Sequence, residues 1–586
     1  MIHPFRKAVS LMPSPARGFF ERRSLLFPLL LALACDVPLA ALGSDFQALR
    51  WIAFALLMLL LVAPVSAALF GVARHLWRRR RDRRFLKLLG LNCLCSLLLA
   101  CAYPPLPLGW LSFVLLVPWL WTLRRLEARD ALTITFASSV LGGAAMYFWI
   151  YNVVSVGPPA GVICGLVLLL CFLATFKVAA GWLFLRLDAV GRTWLFPLVW
   201  AGIETFRAQG EMSFPWEHLG YALGVSLPMV QAASWIGVYG LSALVVAANL
   251  VALSALERRS WRRGLAVLLF PAGLLAFGAA SLSADDEVPE TRRVAVLQPN
   301  IPQHEKWERK NFPEWMRRTF GMLRAVDSSA DLVVLPETAV PRLVRDPRAP
   351  GETGYIPQYW QFLRHARKSG TDVVAGFLDA DTLRQGARKF NFYNAAILFP
   401  KEGEPLRYRK RKLVPFSEKL PWDDLLPMLN YVDLGEGDFS AGSEDAFWGD
   451  LGEWAPSICY EIIYPRFMRR QALGGARLMV NITNDGWFGR TTAPFQHVNI
   501  ARFRSVELGL PLVRAANTGV SAVFDAKGRE IASTPIYERT SFVAEVPLPV
   551  RPAPYAALGD ALEAALLLLA LGVFAWALFT RDPWRR

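Results

Sequence analysis

The stretch E-W-A-P-S-I-C-Y-E at residues 453–461 carries a cysteine at the end of a short apolar run. Six of the seven cysteines lie in long apolar stretches, which leaves Cys459 as the only thiol of the more polar segment 284–556. This segment can therefore form neither an internal disulfide nor a metal site based on paired cysteines. Because such a run is typical of a strand that leads into a turn and a helix, we predict that the thiol is exposed at the edge of a sheet. The alternative, a small buried hydrophobic residue, remains open.

Short β-rich runs alternate with helical patterns on both sides of Cys459. The runs are almost continuously apolar, which is typical of strands that are covered on both faces. We therefore expect a single α/β domain with layered sheets. The predicted strands are 293–298, 331–337, 372–377, 393–399, 455–459, 477–483, 512–516 and 521–525, and the predicted helices are 313–327, 357–369, 464–473 and 494–508.

The chain as a whole is too apolar for a soluble protein of this size. Of its 586 residues, 54% are hydrophobic and 21 are tryptophans. A membrane-spanning helix needs about 20 mostly apolar residues, and several stretches approach this length. The predicted spans are 24–43, 51–74, 86–102, 107–123, 131–152, 160–187, 193–206, 229–256, 264–283 and 557–579, of which 193–206 is short.

The charges of the connecting loops orient these spans. With the N-terminus inside, the cytoplasmic connections are basic, for example R-R-R-R-D-R-R at 78–84 and E-R-R-S-W-R-R at 257–263, whereas the outer connections 103–106 and 153–159 carry no lysine or arginine. This asymmetry predicts a protein of the bacterial inner membrane with its α/β domain in the periplasm. The expected regions are two additional transmembrane helices with a basic cytoplasmic loop at 1–85, a transmembrane helical domain at 86–283, the α/β domain at 284–556, and a last transmembrane helix with a basic cytoplasmic tail at 557–586.

The same loop arginines account for much of the formal net charge of +16. A basic balance often indicates nucleic-acid binding, but no basic groove interleaved with aromatic residues is visible, so we expect no nucleic-acid partner. Charged residues inside spans are costly and usually pair or face a cavity. Asp36, Lys177 and Glu204 lie in predicted spans, and for Lys177, in the middle of its span, structural pairing and contact with a lipid headgroup both remain open.

Three polar residues at or near the ends of apolar runs could together carry out acyl transfer: Glu337, Lys410 and Cys459. A thiol attacks only as the thiolate, so its proton must be removed. A carboxylate can take that proton, and an ammonium can stabilise the oxyanion that forms on the attacked carbonyl. His365 and His497, which could replace the carboxylate, lie in helical patterns and are expected to be surface or core residues.

The order and spacing of these residues resemble the nitrilase superfamily, since Lys410 lies 73 residues after Glu337 and Cys459 lies 49 residues further on. Together with the spans, the motifs resemble the apolipoprotein N-acyltransferase family, from about residue 86 to the end. The resemblance implies an α-helical multi-span membrane domain and an α/β nitrilase-like αββα sandwich domain. The matching motifs are Q-P-N-I-P-Q-H-E-K-W (298–307), L-P-E-T-A-V-P (335–341), K-R-K-L-V-P-F-S-E (410–418), I-C-Y-E-I-I (458–463) and N-D-G-W-F-G (484–489).

The resemblance also implies roles for individual residues. Cys459 is expected to be the nucleophile, Lys410 the oxyanion stabiliser and Glu337 the general base. Lys410 matches the family's Y-x-K pattern because Tyr408 fixes the count. The residues expected to support the site or bind substrate are Glu418 near Lys410, Tyr460 and Glu461 beside the nucleophile, Trp307 at the lipid entrance, and Trp487; for both tryptophans, simple packing remains open.

The reaction implied by the resemblance is a two-step transfer through an acyl-thioester on Cys459, with ping-pong kinetics. The acyl donor is a membrane glycerophospholipid, and the acceptor is the N-terminal α-amine of diacylglyceryl-cysteine in an apolipoprotein. No metal or other cofactor is expected, and the protein is expected to be a monomer. Two alternatives remain open: a membrane-tethered amidase that releases its acyl group to water, and a transporter or scaffold with an inactive domain.

The chain departs from the family pattern in two places. Residues 1–85 have no counterpart in it, which leaves their role open. Ser417 stands where the family generally has glycine, so the loop beside Glu418 is expected to follow a slightly different path.

Overall fold

The computed structural model describes residues 69–155, 159–284, 290–326, 329–344, 356–382, 390–421, 439–443, 454–549 and 551–580. The chain divides into two compact units, a smaller one of residues 1–81 and 415–438 and a larger one of residues 82–414 and 439–586. Within the smaller unit, residues 69–79 are helical, and the N–H of Phe416 donates to the carbonyl of Lys419 at 2.9 Å. The predicted span 24–43 and most of 51–74 lie outside the described residues.

The larger unit begins with a series of helices whose apolar side chains share one core. The first of them starts at Asp82, whose side chain accepts from the N–H groups of Arg84 and Phe85 and so satisfies two donors of the first turn. The helices are α1 (Arg83–Cys101), α2 (Ser112–Leu115), α3 (Val117–Arg125), α4 (Ala128–Tyr147), α5 (Pro159–Ala189), α6 (Phe196–Arg207), α7 (Leu227–Val230), α8 (Ala233–Glu257), α9 (Trp261–Val267) and α10 (Leu269–Ser283).

Within the described part of the chain, six helical stretches are long and apolar enough to cross a membrane. They are Arg83–Cys101, Ala128–Asn152, Val162–Ala189, Ala233–Glu257, Trp261–Ser283 and Pro554–Phe579. These six confirm the predicted spans at 86–102, 131–152, 160–187, 229–256, 264–283 and 557–579.

The predicted spans at 107–123 and 193–206 are built from shorter helical pieces, so they are not among these six and stay predictions. The first stretch is a helical run broken at Leu116, and the second is α6, which has 12 residues. Such a helix is about 18 Å long, well short of a hydrocarbon core of about 30 Å. Pro118 and Pro197 stand in the first turns of α3 and α6, where proline starts a helix and cannot continue the preceding one.

Helix α8 bends at Gly237, whose φ of 62° lies in the left-handed region. A Cβ at this position would lie 2.4 Å from the Tyr555 ring, so only glycine allows the approach. The N–H of Val238, next to the bend, donates to the Glu507 carboxylate at 2.8 Å. The bend therefore joins a membrane helix to the α/β domain.

The α/β domain contains two sheets. The seven-stranded sheet has the order β12-β1-β2-β4-β5-β6, with β3 paired to β4, and the five-stranded sheet has the order β11-β10-β9-β8-β7. The strands are β1 (Glu290–Gln298), β2 (Leu332–Val334), β3 (Val340–Leu343), β4 (Asp372–Thr382), β5 (Phe390–Phe399), β6 (Leu406–Arg409), β7 (Trp454–Ile458), β8 (Leu478–Thr483), β9 (Leu512–Ala516), β10 (Ala522–Phe524), β11 (Glu530–Ser533) and β12 (Thr540–Leu548).

Helices cover the outer faces of the two sheets. The helices of this domain are α11 (Gln303–Lys306), α12 (Phe312–Ala325), α13 (Pro357–Ser369), α14 (Pro465–Leu473) and α15 (Ala493–Leu508), and α16 (Pro554–Phe579) follows it. On the seven-stranded sheet, Phe320 of α12 and Phe362 of α13 lie 4.7 Å apart between ring centroids, and Phe362 also contacts Phe377 of β4 at 5.8 Å. Helices α14 and α15 pack against the five-stranded sheet, and β1 and β5 contact β9 and β7 across the middle. The result is the expected αββα sandwich.

Candidate active site

Glu337 lies in a tight turn that follows β2. The turn is closed by the N–H of Ala339, which donates to the carbonyl of Pro336 at 3.2 Å. Strand β4 passes so close that a Cβ on Gly376 would lie 2.4 Å from the backbone nitrogen of Thr338. Glycine at this position therefore allows β4 to hold the Glu337 turn against the sheet.

Lys410 directly follows β6 and is fully buried. Its N–H donates to the carbonyl of Asn394 at 2.8 Å, and the Asn394 side chain donates to Glu337 Oε1 at 2.5 Å. Lys410 Nζ lies 3.9 Å from the same Glu337 oxygen. The structure thus brings together two residues that are 73 positions apart, with Asn394 as a link that the sequence analysis missed.

Cys459 stands at the transition that the sequence predicts, between β7 and a short helical turn at Cys459–Ile463 that precedes α14. Its φ of 51° is unusual for a residue with a side chain and indicates a tight turn. The prediction of an exposed thiol is wrong, because Cys459 is only 8% exposed. Burial and the negative charge of Glu337 raise the pKa of the thiol to about 12, although the Lys410 ammonium acts in the opposite direction.

Glu461 ties the nucleophile turn to the Lys410 segment. Its buried carboxylate accepts from the N–H of Ile458 at 2.7 Å, of Arg411 at 2.6 Å and of Lys412 at 3.0 Å. The Tyr408 hydroxyl donates to the same carboxylate at 2.8 Å. Burial raises the pKa of Glu461, while these N–H groups act in the opposite direction. One side chain thereby fixes the backbone on both sides of Lys410 and of Cys459.

Lys306 is a second buried ammonium at the site that the sequence analysis missed. Its Nζ donates to the carbonyl of Glu337 at 3.2 Å and to Thr338 Oγ1 at 2.5 Å. Burial lowers the pKa of Lys306 to about 7, although the Glu337 carboxylate acts in the opposite direction. The signal in the sequence was the lysine of Q-H-E-K-W, which directly precedes Trp307.

A buried ion pair supports the opposite side of the nucleophile turn. The Arg514 guanidinium donates to Asp485 at 2.9 Å, and His497 Nδ1 lies 3.1 Å from the same carboxylate. Burial alone would raise the pKa of Asp485, but Arg514 and His497 hold it at about 2. His497 is fully buried, in agreement with the expectation of a core histidine.

The loop 212–221 of the membrane domain covers Cys459 and its neighbours. The Tyr460 hydroxyl donates to the carbonyl of Ser213 at 3.0 Å, and the Tyr460 ring stacks on Phe214 with 6.2 Å between centroids. Trp216 of the same loop donates to Gln496 at 2.9 Å. The loop therefore packs against the nucleophile turn at the residue directly after Cys459.

The remaining predicted site residues are placed as follows. Trp307 is 41% exposed, and its ring lies 6.0 Å from Lys306 Nζ. Trp487 is half-buried in the helical turn Asp485–Phe488. Glu418 belongs to the smaller unit, so its expected position near Lys410 stays a prediction.

The site combines a thiol, a carboxylate and two ammonium groups in a buried setting. A carboxylate can take the thiol proton, and an ammonium can stabilise an oxyanion much more strongly in such a setting than in water. Among the residues that the structure describes, no group of three His, Cys, Asp or Glu side chains could hold a metal ion. The arrangement is suited to attack of the thiol on an acyl carbonyl.

Two family models match the chain. The model of the carbon-nitrogen hydrolases matches residues 293–552, and that of the apolipoprotein N-acyltransferase N-terminal domain matches residues 95–251. The fold and the site therefore define a carbon-nitrogen hydrolase domain built onto a multi-pass membrane domain. Among solved structures, the chain is similar to Nit3 of Saccharomyces cerevisiae, a member of the nitrilase superfamily, with a TM-score of 0.34 and 18% identity over 48% of this chain and 97% of that chain.

Individual relatives narrow this class. The chain is 34% identical to the apolipoprotein N-acyltransferase of Geobacter metallireducens, over 83% of this chain and 92% of that protein. It is 30% identical to the apolipoprotein N-acyltransferase of Nitrosomonas europaea, over 81% of this chain and 93% of that protein. The chain belongs to the apolipoprotein N-acyltransferase family, and it is a membrane-embedded acyltransferase.

Proposed function

We propose that this protein transfers a fatty acyl chain from a membrane glycerophospholipid to the N-terminal α-amine of diacylglyceryl-cysteine in apolipoproteins. The observation that carries the proposal is the pairing of Glu337 with Lys410 at 3.9 Å, together with the buried thiol of Cys459, whose neighbour Tyr460 contacts a loop of the membrane domain. The relatives named above support the acceptor, since their name states that they N-acylate apolipoproteins.

In the first step, Cys459 attacks the ester carbonyl of the phospholipid. A thiol pKa of about 12 leaves about one molecule in 10⁵ as free thiolate at pH 7. Glu337 is therefore proposed to take the proton as the sulfur–carbon bond forms. Lys410 stabilises the resulting oxyanion. When the oxyanion collapses, the ester C–O bond breaks and Glu337 passes its proton to the leaving oxygen, so that lysophospholipid departs and an acyl-thioester remains on Cys459.

In the second step, the α-amine of the lipoprotein attacks the thioester. Glu337 receives the amine proton, the C–S bond breaks as the tetrahedral intermediate collapses, and the Cys459 thiolate leaves and takes the proton back from Glu337. Glu461 and Asn394 hold the reacting groups in place through the hydrogen bonds described above. Water is kept from the thioester by the aromatic loop 212–221 and by the lipid chains themselves.

The membrane domain gives both substrates a common location. The donor is a phospholipid and the acceptor is a protein with a diacylglyceryl anchor. Because the bilayer holds both, an acyltransferase that acts on them has to lie at the bilayer. The basic connections between the spans support an orientation with residues 284–556 in the periplasm, between the helical domain 86–283 and the last helix and tail at 557–586.

A transfer assay separates this function from that of a membrane-tethered amidase. The full-length protein is incubated in vesicles with a phospholipid that carries a labelled acyl chain, together with a synthetic diacylglyceryl lipopeptide. We expect the label to move to the lipopeptide, and to stay off a control lipopeptide whose α-amine is acetylated. Release of the label as free fatty acid, at one rate with or without the lipopeptide, would contradict the proposal.

A further inference from the structure

A pocket that Cys459 does not line opens where the helical domain meets the α/β domain. It has a volume of about 610 Å³, in the range of sites that bind small molecules. Its walls include Ala208 and Gln209 after α6, Tyr239 of α8, the segment 408–412 and the first part of α14. We call it the basic pocket because of the charges on its walls.

Four cationic side chains line the basic pocket: Arg411, Lys412, Arg466 and Arg470. Among the described residues that line it, there is no carboxylate, and Arg466 also pairs with Asp560 of α16, which is not a lining residue, at 3.2 Å. Arg466 and Arg470 are four positions apart on α14, so they point to the same side of the helix. Burial and the charge of Arg411, with smaller effects of Arg470 and Arg466, lower the pKa of Lys412. Such a cluster favours an anionic ligand.

The basic pocket is built on the same two segments as the candidate active site. Lys412 comes two residues after Lys410, and its N–H donates to Glu461. On the other wall, the ring of Tyr464 lies 5.4 Å from that of Tyr460, the residue directly after Cys459. A ligand held in the basic pocket is therefore adjacent to the nucleophile turn.

The position of the basic pocket favours a lipid headgroup as its occupant. Two of its walls come from membrane helices or the residues directly after them, Tyr239 of α8 and Gln209 after α6. At the ends of membrane helices, the surrounding bilayer presents its polar headgroups. A glycerophospholipid carries one phosphate group only a few bonds from the ester that the proposed reaction cleaves.

We propose that the basic pocket binds the phosphate headgroup of the glycerophospholipid acyl donor. This inference rests on the proposed function and adds the subsite that positions the donor. Lys412 and Arg470 supply charge-assisted contacts to the phosphate, with Arg411 and Arg466 beside them. Headgroup binding fixes the distance between the ester and Cys459, so that binding energy remote from the reacting carbonyl is used for orientation.

The test measures binding in the absence of turnover. Full-length protein with Cys459→Ser is prepared in a neutral detergent and titrated with a diether phosphatidylglycerol, which has no ester to cleave. We expect the further double variant Lys412→Gln/Arg470→Gln to bind this lipid at least about tenfold more weakly, because two charged contacts to one phosphate are lost. The matched control is Arg364→Gln, since Arg364 is an exposed arginine on α13 that does not line the pocket. An affinity of the double variant within twofold of that control would overturn the proposal.

Two further ligands determine what the pocket recognises. A diether glycerol without phosphate is expected to bind the double variant and the control with the same affinity. If the double variant lost as much affinity for this lipid as for the phospholipid, the defect would be general and the proposal would be overturned. A lipid-free acidic peptide is expected not to displace the lipid. Displacement from the control protein alone would assign the pocket to a protein segment instead. Because no thioester has to form, these results are independent of the transfer assay described above.

Discussion

Replacing Glu461 by glutamine perturbs the one side chain that holds both catalytic segments. Three backbone N–H groups and the Tyr408 hydroxyl converge on the carboxylate, an arrangement that the ionised form satisfies best. In Glu461→Gln, the new NH₂ group faces either the N–H of Ile458 or those of Arg411 and Lys412. At least one buried donor then loses its acceptor in either orientation of the amide.

The expected size of the effect follows from these hydrogen bonds. Each buried donor without an acceptor costs about 1–3 kcal/mol, and the charge assistance of the remaining bonds is also lost. If this loss of about 2–4 kcal/mol displaces Lys410 and Cys459 and raises the activation free energy by the same amount, the rate of acyl-enzyme formation falls by about 30- to 1,000-fold. Tyr408→Phe removes only one donor and leaves the carboxylate with its three N–H partners, so a loss of less than about tenfold is expected.

The assay is a single-turnover measurement with labelled phospholipid and no acceptor, quenched at short times. Glu402→Gln, an exposed glutamate in the turn after β5, serves as the matched control and should behave like wild type. Thermal unfolding in detergent shows whether each variant remains folded. If Glu461→Gln forms the acyl-enzyme within about threefold of the control rate, the positioning role of Glu461 is refuted.

Three other perturbations test separate parts of the structure. Gly376→Ala places a methyl group 2.4 Å from the Thr338 nitrogen and should lower both the unfolding temperature and the rate of acyl-enzyme formation. Gly321→Ala on α12, where a Cβ meets nothing within 4 Å, should lower neither, and equal results for the two variants would contradict the close packing at Glu337. Asp485→Asn leaves the buried Arg514 without its counter-charge and should destabilise the protein by about 3–5 kcal/mol in thermal unfolding. The control is Asp525→Asn, whose partly exposed ion pair with Arg529 should contribute about 1 kcal/mol or less. Lys306 has a folded-state pKa of about 7 against an ordinary value of 10.5, so between these pH values the unfolded chain binds a proton that the folded protein does not, and the contribution of Lys306 to stability should rise with pH. Unfolding temperatures measured from pH 7 to 10 should therefore rise less in Lys306→Gln than in the wild type. An unchanged slope would contradict the burial of this amino group.

The elements that the sequence predicted are those with a clear apolar pattern, either a continuous run in a strand or a periodic face on a helix. Helix 357–369 and strand 512–516 have the predicted limits, because a buried face determines each of them locally. Strand β6 was not predicted, since its sequence L-R-Y-R looks like a solvated segment. In the sheet, Arg409 of β6 pairs with Asp379 and Asp381 of β4, so its charge is neutralised by residues about 30 positions away.

The candidate site was predicted in its residues but not in its environment. Motif spacing indicated Glu337, Lys410 and Cys459, and the structure places the first two 3.9 Å apart. The burial of Cys459 depends on Phe214 and its neighbours, almost 250 residues earlier in the chain, and no local pattern reports such a contact. Lys306 was overlooked for the same reason, because a lysine beside glutamate and histidine is usually exposed.

The broken helices illustrate a further limit of hydropathy. The stretches 107–123 and 193–206 are apolar enough for spans, but proline in the first turns of α3 and α6 divides them. In the structure α3 and α6 contact each other, with Trp119 of α3 lying 5.8 Å from Trp200 of α6. Average hydropathy does not separate a helix that faces lipid from one that faces other helices.

The central claim is that Cys459 carries the acyl chain between donor and acceptor. The most direct measurement is mass spectrometry of the full-length protein after incubation with phospholipid alone, followed by peptide mapping. The account predicts a fatty-acyl adduct on Cys459 that hydroxylamine removes, that disappears when the lipopeptide acceptor is added, and that is absent from Cys459→Ser. Complete acyl transfer by Cys459→Ser, or an adduct on a different residue, would contradict it.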